Sequence, residues 1–135
     1  MFFRIVFILF CILTQPLFSM AQDVSPVIVD EMVFCRGIEQ RNPVDTATHF
    51  PDSIERVFCY TRLSITENDT SISHVWYYND TQMAIVDLAV NARSWRTWSS
   101  KRIVKEWAGT WRVDVISSTG IIICSDEFVV RPSSE

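Results

Sequence analysis

The stretch "ISHVWYYNDTQMAIVDLAV" (residues 72–90) decides the fold. Two runs rich in aliphatic and aromatic residues, 72–78 and 82–90, flank "NDT". Asn79 and Asp80 tolerate the left-handed backbone of a tight hairpin turn, so the runs are expected to pair as adjacent antiparallel strands. In the second run Ala84, Val86, Leu88 and Val90 recur at period two, while Asp87 points the other way. One face therefore packs and its reverse is partly wet. His74, Trp76 and Tyr78 share a face of the first run. Trp76 stands mid-strand, where sandwich domains keep a buried aromatic, and is assigned to packing. His74 reads as a hydrogen-bonded or sheet-surface residue before a general base.

The same short period extends in both directions. "VIVDEMVFCR" (27–36) is β-rich, and "ERVFCYTRLSI" (55–65) puts Val57, Cys59, Thr61 and Leu63 on one face. Between them, residues 37–53 carry two prolines and many turn formers and read as a long connection with at most a short strand. Towards the C-terminus come "RSWRTWS" (93–99), a turn or single helical loop in 100–109, and a hairpin of 110–116 and 121–130 with Gly120 at its bend. About seven short strands, no long amphipathic helix and evenly spaced turns predict an all-β fold. The expected form is an immunoglobulin-like antiparallel β-sandwich, with a small β-barrel as the alternative.

The N-terminus sets the expected compartment. Arg4 precedes an apolar run from Ile5 to about Phe18, and Ser19 and Ala21 are the small residues of a signal peptidase site. Gln15 and Pro16 break the run, which is shorter than the ~20 residues a spanning helix needs. Leu9-Phe10-Cys11 has a bulky residue where a lipoprotein site wants a small one. The expected organisation is a signal peptide over 1–21 and a single sandwich domain over 22–135, exported to the periplasm or beyond the cell, with no membrane span after cleavage. Loss of Arg4 makes the net charge one unit more negative than the −4 of the whole chain. That balance argues against a nucleic acid, whose phosphates need clustered Lys and Arg. Cys35, Cys59 and Cys124 match no metal or redox spacing and read as small buried hydrophobes. If one bridge forms in an oxidising compartment, Cys35–Cys59 is the first choice.

Four of the five tryptophans fall in "RSWRTWSSKRIVKEWAGTWRVDV" (93–115). Trp111 shares a strand face with Val113 and Val115 and is expected in the core. Trp107 is expected to plug the open end of the sandwich. Trp95 and Trp98 face opposite ways, so one is expected at an edge or surface. Arg96, Trp98, Lys101 and Arg102 then form either a structural lid or a partner-binding patch, since Trp and Arg dominate interface energetics. The lid reading stands ahead of the patch.

The segments "CRGIEQRNPVDTATHFP", "VFCYTRL", "ISHVWYYND", "RSWRTWSSKRIVKEWAGTWRVDV" and a closing "F-V-V" resemble, in that order, the bacterial domain-of-unknown-function family numbered 2914. The resemblance runs from about Met32 to Val130, and its most specific part is the "WRTWSSK" block followed by "EWAGTW". Asp80 stands where members often have glycine, and Lys105 where proline is frequent, so the departures fall in turns. The resemblance implies a bacterial domain, often exported or attached after a membrane segment, with no established activity and no catalytic residues to carry over.

Catalytic signatures are thin. Only His49 and His74 are present, without H-E-x-x-H, G-x-S-x-G or a Cys–His spacing. Three glycines leave no phosphate-cradling loop. The carboxylates Asp87, Glu106, Asp114 and Asp126 are scattered, and the sequons at Asn68 and Asn79 read as accidental in a bacterial chain. The expectation is a non-enzymatic interaction module of the bacterial cell envelope, without cofactor or metal, docking on another envelope protein. A glycan-binding module on a Trp/Arg platform is the alternative, and an envelope hydrolase with paired carboxylates carries the least weight.

Overall fold

The computed structural model describes residues 26–66 and 68–133. The expected signal peptide and Cys11 lie outside the described residues. Among the described residues nine strands run in chain order as β1 (Val27–Glu39), β2 (Asn42–Thr46), β3 (His49–Pro51), β4 (Arg56–Ile65), β5 (Thr70–Tyr78), β6 (Thr81–Val90), β7 (Ser94–Arg102), β8 (Gly109–Ser117) and β9 (Ile122–Arg131). One 3-10 turn, Lys105–Trp107, joins β7 to β8.

The strands form two open sheets, β2-β1-β4-β7 and β3-β9-β8-β5-β6, and not a closed barrel. All pairings are antiparallel except β3 with β9. The order β9-β8-β5-β6 opposite β1-β4-β7 corresponds to the G-F-C-C′ and A-B-E arrangement of immunoglobulin-like domains. The two sheets bury alternate residues against each other, as the period-two pattern dictates.

The hairpin that decides the fold closes as expected, with Asn79 at φ 44° and Asp80 at φ 64°. Gly109 at φ 140° packs beside it, and a Cβ there would stand 3.2 Å from the Asn79 side chain.

Two strands beyond the expected seven lie in 37–53, the segment read as a connection with at most one short strand. The reason is local. Gln40 (φ 47°) and Arg41 (φ 63°) make a two-residue left-handed turn, so β1 and β2 form a hairpin with Glu39 opposite Asn42. Neither residue type advertises that backbone, which favours Asn and Gly. β3 is an edge piece of three residues held by β9.

Phe128 is the hub of the larger apolar cluster. Its ring lies 4.6 Å from Phe34, 5.8 Å from Phe50, 6.1 Å from Trp76 and 6.0 Å from Trp111, measured between centroids. Trp76 and Trp111 are fully buried. Truncating an aromatic in such a setting costs about 3–5 kcal/mol. A second cluster at the other end holds Val27, Leu63, Ile65, Ile72, Val90 and Val115.

The expected Cys35–Cys59 bridge is not formed, and the register shows why. Cys59 stands opposite Phe34 and faces the inter-sheet core, whereas the adjacent Cys35 stands opposite Phe58 and faces the outer side of the sheet. Cys35, Cys59 and Cys124 are free. Burial pushes the thiols of Cys35 and Cys59 up, which keeps them protonated and unreactive.

Candidate functional site

Strand β7 carries the four residues expected at a partner surface, and the fold separates them. Thr97 and Ser99 point inward and are buried, so Arg96, Trp98 and Ser100 lie on the outer face. Tyr60 and Cys35 share that outer face, yet they are 2% and 0% exposed. Their cover is the β1–β2 hairpin. The Arg96 Nη1 donates to Asn42 Oδ1 at 2.9 Å, and Arg41 Nη2 donates to the Arg96 carbonyl at 3.3 Å. The Arg41 guanidinium also lies 5.5 Å from the Trp95 ring centroid. Arg96 thus fastens the tip of a hairpin folded back over the sheet. Trp95 and Trp98 are both half-buried on β7, an edge strand, and they face opposite sides of the sheet.

Lys101 and Arg102 end the strand in a different environment. The Lys101 ammonium sits 5.0 Å from the Trp107 ring centroid. Trp107 is half-buried on the core, packs 6.1 Å from Trp111, and accepts the Trp111 indole N–H at its carbonyl, 3.0 Å away. Arg102 is directly opposite Arg56 across the β4–β7 ladder. These two arginines, with Glu55, Ile103, Val104 and Lys105, line an open cleft of about 560 Å³ at the end of the sandwich.

Local structure explains the shape of that cleft. Glu55 adopts φ 66° and its carbonyl accepts the Ile103 N–H at 2.8 Å, which seats Ile103 in the core. Arg56 and Lys105, next to this bond in the chain, are exposed at the rim. Arg56 Nη1 donates to Ser100 Oγ at 2.7 Å and is held on the outer face. Like charges directly opposite in a sheet are destabilising. Even so, among the described residues Arg56, Arg102 and Lys105 make no ion pair, while Arg62 and Arg112 do. Nearby, Ser133 donates its hydroxyl (2.6 Å) and its N–H (2.9 Å) to Asp52. These bonds hold the Asp52 carboxyl below the usual range, with Lys105 adding a smaller attraction. That carboxylate is therefore already engaged. Arg56 and Lys105 were missed in the sequence because only strand register brings residue 56 to residue 102.

A second polar group lies between the two apolar clusters. His74 is fully buried, with Nδ1 2.7 Å from Ser99 Oγ and Nε2 3.2 Å from Thr61 Oγ1. Trp76 Nε1 donates to Ser99 Oγ at 3.0 Å, and Thr61 Oγ1 donates to the Thr97 carbonyl at 3.1 Å. The directions follow from the inventory of donors. Thr61 spends its one proton on Thr97, so it must accept from His74 Nε2–H. Neutral His74 then has a bare Nδ1, which accepts the Ser99 hydroxyl proton. Burial holds the imidazole down at a pKa of about 4. The His74–Ser99 spacing suits a base and a nucleophile, but both side chains are sealed in the core, and no substrate reaches them. Among the described residues no three His, Cys, Asp or Glu side chains gather as metal ligands. No helix among them is long and apolar enough to cross a membrane.

The class these observations define is a small immunoglobulin-like sandwich with a cationic cleft at one end. Residues 69–130 match the family described as "Protein of unknown function (DUF2914)". The match spans β5 to the penultimate residue of β9 and supports the family read from the sequence. Arg96, Trp98, Lys101, Arg102 and Lys105 lie inside it, and Arg56 lies outside. Comparison with curated proteins returns no match.

Proposed function

We propose that this protein is a non-enzymatic, exported interaction module. It serves as an accessory or structural component of a bacterial cell-envelope assembly, and it docks through the cleft of Arg56, Arg102 and Lys105 onto a carboxylate-rich segment of a partner protein. The observation that carries the reading is the collection of three cations around one cleft, against one acidic lining residue, Glu55, and without a salt bridge among the described residues, in a chain whose net charge is −4. Two guanidinium forks side by side suit carboxylates, which they bind bidentately. The signal-peptide pattern of residues 1–21 supports export.

The glycan reading receives less support. A sugar platform needs two exposed, coplanar indoles. Trp76 and Trp111 are buried, Trp95, Trp98 and Trp107 are half-buried, and two of these three lie beneath cations.

The test is crosslinking and affinity purification from native envelopes with the wild-type chain and with Arg56→Glu/Arg102→Glu. A partner retained by the wild type and lost from the double variant is the expected result. Recovery of the wild type without a partner, or equal capture by both chains, contradicts the reading.

A further inference from the structure

Four strands form the edges of the two sheets among the described residues, and three of them are blunted. β3 is only three residues long. β2 carries Pro43, which has no N–H to offer, and its Asp45 sits at φ 56°, which distorts the strand. β7 bears Arg96, Lys101 and Arg102, and the Arg41 side chain occupies its Arg96 carbonyl. Short edges, proline, charge and local distortion are the devices by which proteins keep sheet edges from pairing.

The fourth edge is the least protected, with one charge and one irregularity, the latter at its hairpin end. β6 is ten residues, "TQMAIVDLAV", without proline, lysine or arginine. It is regularly paired with β5 from Thr70–Val90 to Trp76–Ala84, and the one register shift is next to the hairpin turn. Its single charge, Asp87, accepts the Ser73 hydroxyl at 2.6 Å. Ile85 stands 56% exposed on the outer face. Along the free side of such a strand, alternate residues present N–H and C=O groups with no ladder partner.

We propose that β6 pairs antiparallel with β6 of a second copy of this chain, so that the two five-stranded sheets become one. A second copy fits because the strand is complementary to itself when paired antiparallel. A two-fold axis through Ile85 sets the exposed Ile85 side chains against each other and Val86 opposite Ala84. Inner faces continue inner faces, and the two Asp87 carboxylates are not opposed. The cationic cleft, at the end of the sandwich and on the other sheet, stays open in this arrangement.

Sedimentation of the purified protein tests this. The wild type is expected at twice the monomer mass, and Ile85→Lys at the monomer mass with an unchanged far-ultraviolet spectrum. Ile85 is exposed, so the lysine needs no room in the core, and Ala89→Lys on the same face is the second variant. Ile85→Cys is expected to give a disulfide-linked dimer on mild oxidation. Ile28→Cys, equally exposed on the other sheet, is expected to give none. A monomeric wild type, or a dimer that both lysine variants leave intact, overturns the proposal. Arg102→Glu is expected to leave the dimer unchanged, which separates this proposal from the docking role of the cleft.

Discussion

His74 is the residue on which acid stability turns. Its folded pKa of about 4 lies below the ordinary 6.5 because burial penalises the imidazolium. As pH falls, the unfolded chain therefore takes up the proton first. The contribution to stability is complete above pH 6.5 and is lost as pH falls from there to about 4, by on the order of 3 kcal/mol in total. Protonation also breaks the bond order, since Nδ1–H and the Trp76 indole would both donate to Ser99 and strand its proton. Urea midpoints measured across this range should fall for the wild type more than for His74→Gln, and parallel slopes would contradict the assignment. The sequence set His74 on one face with Trp76 but could not show that this face meets Thr61 and Ser99, which come from β4 and β7. A buried polar bond of this kind depends on how two sheets are stacked, and the strand pattern holds no such information.

Among the elements, the β1–β2 hairpin changes the meaning of the tryptophan-rich run. Seven strands follow from alternation, but this hairpin rests on a left-handed turn at Gln40 and Arg41 that their residue types do not signal. Without it, Trp98 looks like a surface indole and Arg96 like its recognition partner. With it, Arg96 bonds Asn42 and the outer face of β4 and β7 is covered. Asn42→Ala removes that acceptor at a site exposed enough that the stability loss is small, about 0.5–1.5 kcal/mol. Its clearer effect is on local opening. Amide exchange in residues 40–46 should quicken, and acrylamide should quench Trp98 more readily than in the wild type. Unchanged exchange in this segment would mean that the hairpin is held by other contacts.

For the molecule as a whole, charge is distributed against its net sign. The chain is acidic, yet Arg56, Arg102 and Lys105 converge on one cleft, where Glu55 is the single acidic lining residue and, among the described residues, none of the three cations forms a salt bridge. Two members of the expected patch, Lys101 and Arg102, reach that end, while Arg96 bonds the hairpin and Trp98 lies half-buried on the outer face opposite Tyr60. Composition alone could show neither division. It follows from β7 running the length of the sheet, with its beginning beneath the lid and its end at the rim. Two copies joined along β6 would carry two such clefts, and a carboxylate-rich partner engaging both would gain avidity over a single site. The most direct measurement is an amide and arginine side-chain NMR titration with a glutamate-rich peptide, with inorganic phosphate as a parallel arm. Salt-sensitive shifts confined to Arg56, Arg102, Ile103 and Lys105 are expected, larger for the peptide than for phosphate and abolished by Arg102→Glu. Shifts centred on Trp95 and Trp98, or none at the cleft, would contradict it.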